Sequence, residues 1–144
     1  MILFFVEFAF MNKVKQTPKE LEIAVRRPQF ELEADLKEDW FDDSAFKTAF
    51  ENAFSLLFPI GEKAFIESVR SFEDKITDAK LLQEIKAFYG QEAAHRKVHQ
   101  EYNELLCKLR GYDLIYLTKP QIKRHQNRYK QLSPYQKLAT TVAA

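Results

Sequence analysis

From Ser44 onward, apolar residues recur every three or four positions. Phe46, Ala49, Phe50, Ala53, Phe54 and Leu57 form one stripe, which predicts a helix facing a core, with Ser44 as its N-cap. Pro59 ends that helix and suits the first turn of another over about residues 59–74, with stripe Glu62, Phe65, Ile66, Val69, Phe72 and Ile76. Thr77 or Asp78 caps a long third helix over about residues 79–109, and Gly111 stops it. Its stripe reads Leu81, Ile85, Phe88, Glu92, His95, His99, Asn103 and Leu106. Residues 112–132 give a mixed pattern, and the Ser133-Pro134 pair opens a last helix. The expected class is all-α, with a long antiparallel helix hairpin at its centre.

Ahead of these helices the chain divides in two. Residues 1–11, beginning MILFFVEFAF, read as a hydrophobic extension or a short apolar arm. The stretch is too short to cross a bilayer and lacks the basic start and small-residue cleavage site of a signal peptide, so no stable membrane span is expected. Residues 12–43 read as an irregular lead-in to a helical bundle over 44–144. Seven acids between Glu31 and Asp43 against the single Lys37 mark a solvated stretch that Trp40 and Phe41 anchor.

Charge and cysteine content narrow the function classes. The 144 residues hold 22 Lys and Arg against 21 Asp and Glu, a formal net charge of +1, unlike a basic nucleic-acid module. The basic run 119–130 reads as a solvated helix face, so no nucleic-acid partner is expected. The lone Cys107 excludes an internal disulfide and a cysteine-based zinc site. A reducing, cytoplasmic setting is the expectation.

The stripes contain residues that do not belong in oil. At about 100° per residue, His95 lies about 60° and His99 about 20° from Glu92, so all three share the core-facing side of the third helix. Ionisable groups there carry a large desolvation cost unless a partner offsets it, and a metal ion suits carboxylate and imidazole together. Glu62 sits in the same register on the second helix. About the hairpin turn near Ile76 and Thr77, Glu62 and Glu92 both fall roughly 22 Å from the bend, so they meet. One Glu beside a Glu-x-x-His is half of a carboxylate-bridged dimetal site in a four-helix bundle.

The runs Leu56-Leu57-Phe58-Pro59-Ile60-Gly61-Glu62 and Gly90-Gln91-Glu92-Ala93-Ala94-His95-Arg96-Lys97-Val98-His99 carry a family likeness. With Arg26-Arg27-Pro28, Trp40-Phe41 and Gly111-Tyr112-Asp113, the chain over roughly residues 24–144 resembles the bacterial predicted metal-dependent hydrolases. The resemblance implies a ferritin-like bundle and a divalent metal or dimetal centre of iron, manganese or zinc. Its metal residues would be Glu62, Glu92, His95 and His99, with His99 also a candidate acid–base group. It further implies that the stretch like residues 133–144 leads into another Glu and His on following helices. A complete dimetal site draws on four helices, and this chain supplies two. The expectation is therefore either part of a longer protein or a homodimer completing the bundle. Three function classes follow: a metal-dependent hydrolase acting on a small molecule, a dimetal oxygen-activating enzyme, or an inactive helical interaction module.

Overall fold

A computed structural model describes Pro18, residues 20–33, Leu36 and residues 38–144. Residues 1–11, read above as a hydrophobic extension, lie outside this set. The described residues contain five α-helices: α1 (Ala45–Ser55), α2 (Phe58–Arg70), α3 (Ala79–Arg110), α4 (Leu114–Tyr129) and α5 (Pro134–Ala143). The class is all-α, with no strand among the described residues.

The helix ends follow local chemistry. Ser44 Oγ accepts from Lys47 N–H to start α1, and Asp78 Oδ1 accepts from Lys80 and Leu81 N–H to start α3. Gly111 closes α3 at φ 70°, a left-handed cap that costs a glycine little. Ser133 and Gln136 form a reciprocal capping box with Pro134 in the first turn of α5. The second helix stops at Arg70, short of the expected residue 74. A 3₁₀ turn, Glu73–Lys75, makes the bend instead. Helix α4 runs through Pro120, which has no N–H to give the Tyr116 carbonyl.

The antiparallel pair α2 and α3 forms the centre, with α5 against α2 and α1 across the start of the pair. Tyr129 of α4 donates its hydroxyl to the Ala64 carbonyl of α2 at 2.8 Å. Residues 21–32 of the lead-in run without regular structure beside α3. Arg26 N–H donates to Gln91 Oε1, and Val25 lies so close to Gly90 that a β-carbon there would sit 2.6 Å from its methyl. Arg110 holds the far end of the lead-in through the carbonyls of Leu36 and Glu38 and the carboxylate of Asp39.

Helix α1 overturns one expectation. Its apolar stripe faces outward: Phe46 is 79% exposed, and Phe50, Phe54 and Leu57 are exposed too. Thr48, Asn52 and Ser55 are buried in its place. The reason is hydrogen bonding. Thr48 Oγ1 accepts from Phe41 N–H, Asn52 Oδ1 accepts from Trp40 Nε1 and the Tyr102 hydroxyl, and the Ser55 carbonyl accepts from Asn103 Nδ2. Each buried polar atom so satisfied escapes the cost of dry burial. On α3, Leu81 is also exposed, so that stripe reaches the interior only from Ile85 onward.

Candidate metal centre

The hairpin register brings Glu62 of α2 against Glu92 and His95 of α3. One ligand atom from each lies within 4.8 Å of the other two. An ion held by N and O at about 2.0–2.2 Å needs donors roughly 3–4 Å apart, so small side-chain movements would close the group on a cation.

The three differ in exposure. Glu62 is buried at 3% exposure, Glu92 is half-buried, and the His95 side chain is 52% exposed. The expectation that His95 points into the core is thus corrected: it stands at the mouth of the site, with Nδ1 3.9 Å from Glu62 Oε1. The physical reason is its angle: His95 lies about 60° around α3 from Glu92, at the edge of the stripe, whereas His99 at about 20° lies under Phe58 of α2. Gln91 Nε2 lies 3.4 Å from His95 Nε2, on the ring edge away from Glu62.

Electrostatics mark the group as lacking positive charge. Burial, and then the Glu92 carboxylate, push Glu62 up to about 7, against a smaller opposing pull from Arg96. Burial also raises Glu92, and His95 offsets part of that rise. Glu62 Oε2 is buried without a hydrogen-bond partner. Buried carboxylate oxygens are ordinarily bonded, so an orphan one beside a second carboxylate and an imidazole suits a cation. The donor set of two carboxylates and one imidazole fits manganese, iron or zinc.

The match to known families bears on the same stretch. The family model described as predicted metal-dependent hydrolase matches residues 24–144. The chain belongs to this family. No curated protein and no solved structure gives a match.

In this family member, His99 stands apart from the three-residue group. Its Nδ1 is 3.0 Å from Ser55 Oγ, and its ring stacks on Phe58 with centroids 4.4 Å apart. Burial, then His95, lowers its pKa, which favours the neutral ring. Sequence reasoning brings Glu62 and Glu92 to one height, with His95 on the same side of α3, and places Asn103 on the α3 stripe. It does not find Ser55 beside His99, nor Gln91 beside His95. Ser55 is hidden because the polar side of α1 reads as its outer face. Gln91 precedes Glu92 in the sequence, and its spacing of four from His95 was the available signal. No helix among the described residues is long and apolar enough to cross a membrane.

Proposed function

We propose that this chain is a metal-dependent hydrolase in which Glu62, Glu92 and His95 hold one divalent ion and His99 moves a proton beside it. The observation that carries this reading is the unpartnered Oε2 of buried Glu62, on the carboxylate that meets Glu92 and His95. A bound divalent ion supplies Lewis-acid polarisation and lowers the pKa of a water. A divalent ion held there would favour the ionised Glu62 carboxylate, offsetting the burial and the Glu92 charge that raise its pKa. Exposed His95 leaves the site open to a small-molecule substrate. His99 is kept neutral and aimed: with Nδ1–H donating to Ser55 Oγ, its Nε2 keeps a lone pair for the proton of an attacking water.

The test is metal analysis of protein purified from minimal medium, with an ester and phosphoester panel before and after chelation. Near-stoichiometric metal, lost in Glu92→Ala and His95→Ala, is expected. Metal content indifferent to both substitutions would remove the site.

A second reading rests on the ligand pattern. Glu62 with Glu92-x-x-His95 is half of the ferritin-like dimetal arrangement, so a second copy would complete a four-helix site able to activate oxygen. One observation supports pairing. Phe46, Phe50, Phe54 and Leu57 lie exposed together on α1, and the rings of Phe50, Phe54 and Phe58 run in contact toward His99. Light scattering should give a dimer with two metal ions per pair. A monomer binding one ion would exclude the dimetal reading and leave the hydrolase. An inactive interaction module would pair without binding metal.

A further inference from the structure

On another face of α2 from the Glu62 group, α2, α4 and α5 line an open groove of about 470 Å³, within the range of small-molecule sites. Its walls are apolar, from Ile60, Ala64, Phe65 and Leu132. Arg124, His125 and Arg128 stand along one side, and no acid lines it. Neither arginine makes an ion pair among the described residues. The Tyr129 ring beside them is already occupied, stacked on His125 and capped by the Lys137 ammonium 4.5 Å from its centre.

Charge along the chain is uneven in the same sense. Residues 114–144 hold six Lys or Arg and no acid. The preceding 113 residues hold sixteen basic and twenty-one acidic residues, a formal −5. The α4 and α5 walls of the groove thus come from the cationic stretch of the chain.

Gly61 adds an independent observation. It lies within the first turns of α2, where glycine costs about 1 kcal/mol against alanine. A β-carbon there would meet nothing within 4 Å, so no neighbouring atom of the chain requires the bare backbone. Gly61 lines the groove and keeps that space open.

We propose that this groove binds a free fatty carboxylate, its chain against Ile60, Ala64 and Phe65 and its headgroup on Arg124 and Arg128. Two arginines at i and i+4 offer fork donors to one anion, and apolar walls favour a single alkyl chain over a solvated phosphate ester. Nucleic acid is the poorer fit, because the aromatic face that a base would stack on is taken. The site is independent of the metal reading.

Calorimetric titration of the full chain with dodecanoate, in excess EDTA, tests it. One dodecanoate per chain is expected, with affinity falling as salt rises. Arg124→Gln combined with Arg128→Gln should weaken binding about tenfold, the loss of charge-assisted hydrogen bonds at a partly screened site. Dodecanol should bind more weakly than dodecanoate by a similar factor. Gly61→Leu fills the groove while improving helix propensity, so it should fold and abolish binding. Equal affinity for dodecanol, or unchanged affinity in both folded variants, would overturn the assignment. So would binding confined to phosphatidylglycerol vesicles or to a single-stranded oligonucleotide, with none to free dodecanoate.

Discussion

Removing the negative charge of Glu62 should stabilise the metal-free protein at alkaline pH. Burial and Glu92 raise this carboxyl from 4.5 to about 7 in the folded chain. A raised carboxyl pKa means that the folded state binds the proton more tightly than the unfolded state. Its contribution is complete below pH 4.5 and is lost as pH rises through 7. At 1.36 kcal/mol per pH unit the interval corresponds to about 3 kcal/mol. Urea denaturation in EDTA should therefore show wild type losing on the order of 2–3 kcal/mol between pH 4.5 and pH 8, relative to Glu62→Gln. The glutamine keeps the shape and hydrogen-bonding capacity without the charge. Adding manganese or zinc at pH 8 should reverse the order. Wild type gains about 2.7 kcal/mol at a hundredfold excess of ligand over Kd, and the variant gains little. Parallel pH profiles for the two proteins would refute the claim that Glu62 sits dry and poorly compensated.

Other consequences are as direct. His95→Ala should lower metal affinity at least tenfold, read by competition with a chromogenic chelator, yet cost under about 1 kcal/mol in metal-free stability because its side chain is half in water. Ser55→Ala removes the hydroxyl 3.0 Å from His99 Nδ1, so it should shift the pH–rate profile of any hydrolysis while leaving metal content intact. Thr48→Val should cost about 1–3 kcal/mol by orphaning the Phe41 N–H, whereas Phe46→Ala should cost less than about 0.5 kcal/mol in dilute monomer. Gly90→Ala should push Val25 outward and speed proteolysis of the lead-in without lowering the helical circular dichroism signal.

The sequence carried the hairpin well because its information is local. Asp78 and Gly111 fix the ends of α3 by capping chemistry, and helical rise then sets Glu62 opposite Glu92 without knowledge of anything farther away. Helix α1 was misread for the complementary reason. Periodicity identifies its two faces, but which one turns inward depends on partners distant in sequence: Trp40, Tyr102 and Asn103 supply donors to its polar side. His95 shows the limit again. Its angle on α3 was right, but the edge of the α2 cover decides whether that angle is wet. The groove beside Gly61 was invisible, since it needs three helices whose packing the pattern does not encode.

The inverted α1 also determines what sets its register. Oily surfaces slide over one another at small cost, but a hydroxyl or amide meets its acceptor at one setting only. Thr48, Asn52 and Ser55 act as pins along the helix, and the last of them reaches His99. The phenyl rings outside can drift in identity without shifting that imidazole, whereas a single lost pin inside would let the helix slip and carry Ser55 out of range.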